Sequence, residues 1–233
     1  MPVAKPLQGH TIYSLKVSLD GSAPLIWRRI EIPSEMTLPQ LHRALQIVMG
    51  WENRHLHEFR IAGKVYAEPD PEDHHFGRAV LDERRVRVGR LVATVGSSFE
   101  YIYDFGDNWR HDILLESISL AAPRKRYPAC SAGARSTPLE DVGGISGFQR
   151  YLEALFDRRH EGHHRLLAWR GRFNPGYFAI TRVNKNLREE FPVRASGKQS
   201  VQSLPATSEE EFDLIVRSLI RSRRLPPQKL IRG

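Results

Sequence analysis

The sequence predicts an α+β fold in which a mostly antiparallel sheet, built from hairpins, carries helices on one face. Two observations favour this fold. Segments of alternating apolar and polar residues occur in pairs joined by turn dipeptides, as in residues 11–33 around Asp20-Gly21. Helical segments then follow the hairpins instead of alternating with single strands, which is the order expected of an α+β domain. A C-terminal helical extension completes the predicted architecture.

The elements between the first hairpin and the middle of the chain are marked by turn and capping residues. Thr37 is expected to cap a helix that ends at Gly50, because leucines recur between them at helical spacing. A second hairpin is expected to turn at Ala62-Gly63. A short helix then leads to the strongest predicted strand pair, which reverses at residues 106–108.

The second half of the domain is less regular in pattern. Residues 122–144 are rich in glycine, proline and small residues, so they are predicted to form an irregular loop or lid. Ser146 is expected to cap the amphipathic helix that follows, and a last short helix covers residues 181–190. The predicted α+β domain therefore spans residues 8–191.

The composition changes after this domain. Residues 192–207 are polar and contain serine, glutamine and proline, which is typical of a linker. Residues 208–233 form a predicted helical arm with acids in its first turn and arginines in its last, which matches the helix dipole.

The overall composition is typical of a globular protein that works in the cytoplasm. Of 233 residues, 40% are hydrophobic and 27% are charged, and no apolar run is long enough to span a membrane. The N-terminus lacks the apolar core of a signal peptide. With Cys130 as its single cysteine, the chain can form neither an internal disulfide nor a cysteine-based zinc site. We predict no cofactor.

The excess of basic residues indicates contact with nucleic acid. The net charge is +8, and positive charge attracts phosphate backbones without sequence readout. The residues predicted to make these contacts lie in the arm: Arg217, Arg221, Arg223, Arg224, Lys229 and Arg232. A protein partner is an equally open possibility, because the arm also carries an apolar stripe, and the pattern does not indicate an oligomeric state.

Five short motifs occur in a recognisable order. They are PLIWRRIEIP, WENRHLHEF, YIYDFGDNWRH, EDVGG, and FNP followed by VNKNL. In these motifs the chain resembles the plasmid-borne ORF-three-like family over residues 11–187. The resemblance implies an α+β domain found on plasmids and insertion elements, whose members are often labelled passenger or TnpR proteins. A serine resolvase is not expected, because Ser14 lies in a plain alternating strand without a supporting set of arginines.

The motif YIYDFGDNWRH raises two alternatives. On a strand pair its aromatic residues share one face, which favours a buried core with Asp104 and Asp107 capping the turn. Alternatively, Asp104 or Asp107 joins His111 in a polar cleft, where the three residues are the candidate catalytic groups.

Two further segments could contribute to such a cleft. His55 and His57 point the same way on a strand and could bind a metal together with His111 and an aspartate, although a polar patch is favoured. Arg28 and Arg29 face opposite ways, and whichever is buried is expected to pair with Asp104, Asp107 or Glu58. The complete predicted cleft consists of Arg28, Arg29, His55, His57, Asp104, Asp107, Trp109 and His111.

Taken together, these patterns favour a non-enzymatic accessory protein of a plasmid or insertion element that binds nucleic acid or an element-encoded protein. An enzyme of unassigned class that uses the histidine and aspartate cleft is the first alternative. The second alternative is a protein-interaction module that docks through the apolar stripe of the arm.

Overall fold

The computed structural model describes residues 11–69, 79–171 and 173–192. The chain divides into two units, Met1–Pro192 and Val193–Gly233, and every described residue belongs to the first. Apart from Pro192, the predicted linker and the whole predicted arm lie outside the described residues. The same holds for the predicted nucleic-acid contacts Arg217, Arg221, Arg223, Arg224, Lys229 and Arg232.

Eight strands and five helices make up the described part of the chain. The strands are β1 (Thr11–Leu19), β2 (Trp27–Pro33), β3 (His57–Ile61), β4 (Lys64–Ala67), β5 (Val80–Asp82), β6 (Ser98–Tyr103), β7 (Trp109–Leu120) and β8 (Ala129–Ala134). The helices are α1 (Leu38–Met49), α2 (Val88–Leu91), α3 (Gly144–Phe156), α4 (His163–Arg170) and α5 (Ile180–Glu190).

The strands form one sheet in the order β5-β4-β3-β6-β7-β1-β2-β8. All neighbours are antiparallel except β4 and β5, which are parallel. The predicted hairpins correspond to β1–β2, β3–β4 and β6–β7. The predicted mostly antiparallel α+β fold is therefore confirmed.

One face of this sheet is buried and the other is open. Along β1 the buried residues are every second one from Tyr13 to Leu19, and they share a core with α1, α3 and α5. On the open face charged residues pair across strands, as between Arg29 on β2 and Glu116 on β7, at 2.5 and 2.9 Å. This alternation of burial confirms that the helices cover one face.

Helix α1 begins and ends where its capping residues require. The backbone N–H of Thr37 donates to Gln40 Oε1 at 2.9 Å, so the side chain three residues into the helix caps its start. Gly50 terminates the helix with a φ of 80°, a left-handed conformation that glycine adopts without a steric penalty. Both ends agree with the prediction.

The prediction for residues 122–144 is wrong, because this segment contains edge strand β8, paired with β2. Its small residues have a packing reason: a Cβ at Gly133 would lie 2.6 Å from the Phe178 ring. On the outer edge, the side-chain amide of Asn184 accepts from the Cys130 N–H and donates to the Cys130 carbonyl, both at 2.8 Å. Asn184 thereby satisfies backbone groups that an edge strand would otherwise expose.

The third helix also begins earlier than predicted. Helix α3 begins at Gly144 rather than after Ser146, because Gly143 takes the capping position with a φ of 89°. Within the described ranges, no helix combines the length and the apolar composition that crossing a membrane requires.

Candidate functional site: a histidine and carboxylate cleft

Three segments that are far apart in the sequence meet at one end of the sheet. They are the segment between α1 and β3, the β6–β7 turn, and the segment between β8 and α3. The backbone N–H of Gly143 donates to Asp107 Oδ2 at 3.1 Å, which joins the third segment to the second. The N–H of Glu52 donates to Glu140 Oε2 at 3.1 Å, which joins the first to the third.

Asp104 holds the β6–β7 turn with one of its two carboxylate oxygens. Its Oδ1 accepts the backbone N–H groups of Gly106 at 3.0 Å and Asp107 at 3.3 Å, as expected of an aspartate that caps a turn. Asp107 does not cap its own turn and binds Gly143 instead. The side chain of Asp104 is 10% exposed, and its Oδ2 faces His55.

His55, Asp104 and Asp141 form a compact set of potential metal ligands. The Nε2 atom of His55 lies 3.6 Å from Asp104 Oδ2 and 3.1 Å from Asp141 Oδ1. One ligand atom from each of the three residues lies within 4.8 Å of the other two. Neighbouring ligands around a cation with bonds of about 2.1 Å lie about 3.0 to 3.4 Å apart. The 3.1 Å separation falls in this range and the 3.6 Å separation exceeds it slightly, so a shared cation requires a small shift of the Asp104 side chain.

The Nε2 atom of His55 gives a second indication. It is buried, yet no group within the described ranges meets the geometric criteria for a hydrogen bond to it. The nearest carboxylate oxygens, Asp141 Oδ1 at 3.1 Å and Asp104 Oδ2 at 3.6 Å, form ion pairs with this nitrogen only if the ring is protonated. A buried ring nitrogen without a hydrogen bond is costly, and a cation in the line of its lone pair would satisfy it.

A second polar cluster lies beside the first, around His42 on α1. His42 Nδ1 lies 2.8 Å from the Tyr101 hydroxyl, and His42 Nε2 lies 2.5 Å from Asn53 Oδ1. Burial is the main cause, and the neighbouring His57 ring a lesser one, of a lowered pKa of about 3 for His42. A neutral His42 ring matches both contacts, because it donates to Asn53 and accepts from Tyr101.

His57 and Glu83 form a buried pair next to His42. Glu83 is 2% exposed, and its two carboxylate oxygens lie 3.1 and 3.2 Å from His57 Nε2. A carboxylate that orients a histidine at the wall of a cleft is an arrangement that general acid–base catalysis uses.

One cleft, with a volume of about 430 Å³, is bordered by His55 of the first cluster and by His42, His57 and Glu83. This volume is in the range of small-molecule sites. The residues that line the cleft are Pro39, His42, Arg43, Asn53, Arg54, His55, Leu56, His57, Ala67, Glu68, Glu83, Arg84 and Phe105. Of the predicted cleft residues, His55 and His57 line this cleft, and Asp104 lies 3.6 Å from His55 without lining it.

His111 and Trp109 lie elsewhere than the predicted cleft required. They are 1% and 0% exposed, and both face the core from β7. His111 contacts the edge of the Trp51 ring, and its Nδ1 lies 3.3 Å from the Tyr101 carbonyl. Burial lowers the pKa of His111 to about 4, so the ring is neutral near pH 7. Its assignment to the cleft is corrected because strand alternation turns it inward.

Arg28 and Arg29 also lie outside the cleft. Arg28 is 2% exposed, and among the described residues its partners are carbonyl oxygens and one hydroxyl rather than the expected Asp104, Asp107 or Glu58. One of those carbonyls belongs to Val48, in the last turn of α1, where the helix dipole supplies partial negative charge. Burial lowers the pKa of Arg28 to about 10.

Sequence reasoning missed three residues of the site: His42, Glu83 and Asp141. His42 follows Leu41 on the apolar side of α1, and a histidine at a core position was the available signal. Asp141 belongs to the EDVGG motif, which lies in the segment predicted to form an irregular loop, and no role was predicted for its side chain. Glu83 follows the short strand β5 and carries no distinguishing pattern.

Comparisons with known proteins agree with this fold. The family model described as plasmid pRiA4b ORF-3-like protein matches residues 11–182. The uncharacterised Sinorhizobium fredii protein y4hQ is 40% identical over 162 residues, which are 69% of this chain and 81% of the relative.

A solved structure is similar to most of the described chain. The Methanosarcina mazei protein MM3350, a protein of unknown function, is 34% identical with a TM-score of 0.68. The similarity covers 75% of this chain and 98% of the archaeal one. The five motifs, the sheet they build and the family match lead to one conclusion: the chain belongs to the plasmid pRiA4b ORF-3-like family.

Proposed function

We propose that the protein is a divalent-cation-dependent enzyme whose active site is the cleft beside His55. The convergence of His55, Asp104 and Asp141 from three separate motifs, at ligand spacing, is the observation that carries this proposal. It favours the enzyme alternative over the non-enzymatic reading, because His55 Nε2 faces two carboxylates, whereas His111 Nε2, which also lacks a hydrogen bond within the described ranges, lies in the core.

The ligand set defines the type of cation. Imidazole suits Zn²⁺ and other transition metals and carboxylates suit Mn²⁺ or Mg²⁺, so one histidine with two aspartates fits Mn²⁺ or Zn²⁺ best. Three protein ligands leave coordination positions for water or for a substrate oxygen. The cation would polarise that oxygen, and the His57–Glu83 pair would exchange a proton with it, which is the chemistry of metal-assisted hydrolysis.

The test is titration of the full-length protein with Mn²⁺ and with Zn²⁺ by isothermal calorimetry. We expect about one equivalent to bind, and His55→Ala and Asp141→Asn each to weaken binding at least about tenfold. Glu52→Gln is the matched control, because Glu52 lies in the same segment as His55 but outside the ligand set. Equal affinity in all four proteins, or no binding to any, contradicts the proposal.

A second candidate function is the accessory role in nucleic-acid binding that the net charge indicates. Arg182, Lys185 and Arg188 are exposed along α5 and border a shallow groove of about 580 Å³ with the exposed ring of Tyr177. The segment 193–233 carries eight Lys and Arg residues against four Asp and Glu residues, which is half of the net charge of +8. A basic row beside an aromatic ring suits a phosphate backbone.

The salt dependence of DNA binding tests this role. We expect affinity to fall steeply between about 50 and 200 mM salt, and the slope to decrease by about one for each phosphate contact removed. Replacement of Arg182, Lys185 and Arg188 by glutamine probes α5, and replacement of the six basic arm residues probes the arm. Unchanged slopes in both variants, or no binding at low salt, would leave a protein partner as the remaining proposal.

A further inference from the structure

The cleft beside the proposed cation site, which His55 borders, carries two kinds of surface that the proposed role does not require. Three arginines border it, Arg43, Arg54 and Arg84, against two carboxylates, Glu68 and Glu83. Two exposed apolar side chains also border it, Leu56 at 53% and Phe105 at 44% exposure. A ligand that satisfies all of these features needs negative charge, oxygen atoms for the cation and a flat apolar part.

The arginines are positioned by carboxylates that do not themselves line the cleft. Arg43 binds Glu190 on α5 at 3.1 and 3.3 Å, and Arg84 binds Asp82 at 2.8 to 3.0 Å. A guanidinium has five N–H donors, and a bidentate carboxylate engages only part of them. The remaining donors can bind phosphate oxygens, for which the planar guanidinium has the right geometry.

The two apolar residues are fixed next to the cation ligands by sequence. Leu56 directly follows His55, and Phe105 directly follows Asp104. Phe105 was expected in the core with the other aromatics of its motif, but the φ of 57° at Asp104 ends the strand and turns the next residue outward. An exposed aromatic ring beside a phosphate site is the surface on which proteins stack nucleobases.

We propose that the cleft binds a nucleoside 5′-phosphate, with the phosphate on the cation and the arginines and the base against Phe105 and Leu56. This inference rests on the proposed cation site and names the class of its substrate. A volume of about 430 Å³ accommodates one nucleotide but not a duplex. The nucleotide is either free or the 5′-terminal residue of a nucleic-acid strand, since both present the same groups.

The experiment is calorimetric titration of the Mn²⁺-loaded full-length protein with AMP, adenosine and inorganic phosphate. We expect AMP to bind at least about tenfold more tightly than either fragment, because both halves of the cleft are then engaged. Phe105→Ala should weaken AMP binding about fivefold or more and leave phosphate binding unchanged. Arg84→Gln should weaken both ligands.

Two variants serve as matched controls. Arg85→Gln removes the neighbouring exposed arginine, which does not line the cleft, and Phe156→Ala removes an exposed aromatic ring on α3. Both should bind AMP as the wild type does. All four substitutions are at exposed positions, so thermal melting should change little and loss of folding does not confuse the result.

The outcomes separate this inference from the function on which it rests. Binding of AMP and equally of a 5′-phosphorylated single-stranded oligonucleotide identifies a strand terminus as ligand, and binding of AMP alone identifies a free nucleotide. Mn²⁺ binding without AMP binding, or AMP binding that Phe105→Ala and Arg84→Gln leave unchanged, overturns the inference alone. Failure to bind Mn²⁺ overturns both proposals.

Discussion

The imidazole rings of His42 and His57 lie face to face, with their centroids 3.6 Å apart and their planes at 6° to each other. One ring belongs to helix α1 and the other to strand β3, so the stack fixes the helix against the wall of the cleft. Each ring has its own polar partners: Tyr101 and Asn53 for His42, and Glu83 for His57. The stacked pair therefore connects the hydrophobic core to the candidate functional site.

The contacts of this stacked pair predict that substitutions of His42 and Tyr101 have non-additive effects on the free energy of unfolding. His42→Phe keeps a ring in the stack but leaves the buried Tyr101 hydroxyl without an acceptor, so it should lower the free energy of unfolding by about 1–3 kcal/mol. The double variant His42→Phe/Tyr101→Phe removes both partners and should lose less than the two single variants combined. Urea denaturation measures all four proteins, and strict additivity would show that the bond does not stabilise the fold.

A second prediction concerns acid. The folded pKa of His111 is about 4, below the value of about 6.5 expected in the unfolded chain. Between these values the unfolded state binds the extra proton, so stability is complete above about pH 6.5 and falls as the pH decreases towards 4. The loss attributable to His111 is about 3 kcal/mol over this window.

His111→Phe tests this attribution, because phenylalanine has no proton to gain. The replacement removes the buried contact between His111 Nδ1 and the Tyr101 carbonyl, so it should cost about 1 kcal/mol at pH 7. Thermal melting at pH 7 and pH 5 should show a smaller acid-induced shift in the variant than in the wild type. His160→Phe, at an exposed position, is the control and should keep the full shift.

A third prediction links the EDVGG segment to the proposed cation site. A Cβ at Gly147 would lie 1.9 Å from the Val142 carbonyl oxygen, so Gly147→Ala must displace the backbone next to Asp141. We expect a loss of about 2–4 kcal/mol in the free energy of unfolding and weaker Mn²⁺ binding. Gly176→Ala is the control, because a Cβ there meets nothing closer than 3.4 Å. Unchanged Mn²⁺ affinity in Gly147→Ala would show that the packing of Gly147 on the Val142 carbonyl does not position Asp141.

The parts of the fold that could be predicted are those encoded by neighbouring residues. The β6–β7 hairpin follows from alternation and from Asp104, whose carboxylate caps the turn locally. Strand β8 could not be recognised, because its small residues are explained only by Phe178 and Arg28 packing over Gly133. Periodicity alone indicates a strand's faces but not which distant segments cover them.

The same distinction applies to the candidate site: residues close together in the sequence could be predicted to share it, and residues far apart could not. His55 and His57 were predicted together as residues two apart on one strand. Strand β3 begins at His57, so His55 lies before the strand, yet both residues line the cleft. Asp141 lies 86 positions after His55 in the sequence, and only the packing of the third segment on the β6–β7 turn brings it within 3.1 Å of that ring. His111 illustrates the converse, since a chemically capable residue was placed in the cleft although its strand position turns it into the core.

The two adjacent arginines of β2 provide a last prediction, because they differ in environment and not in chemistry. The Arg28 guanidinium donates to the carbonyls of Val48, Ala134 and Arg135 at 2.9 Å each. Its plane also covers the Phe178 ring at 4.0 Å. Lysine has one nitrogen with three donors and no planar group, so it cannot serve these acceptors simultaneously.

Arg28→Lys should therefore lower the free energy of unfolding by about 3 kcal/mol, since it leaves buried carbonyls unsatisfied and a charge poorly compensated. Arg29→Lys is the matched control: Arg29 pairs with Glu116 on the open face, where solvent screens the pair, and the change should cost at most about 1 kcal/mol. Guanidinium denaturation of both variants at pH 7 measures the difference. If the two losses are equal, the carbonyl cage around Arg28 does not stabilise the junction of α1, β2 and β8, and the strand's apolar neighbours hold that junction instead.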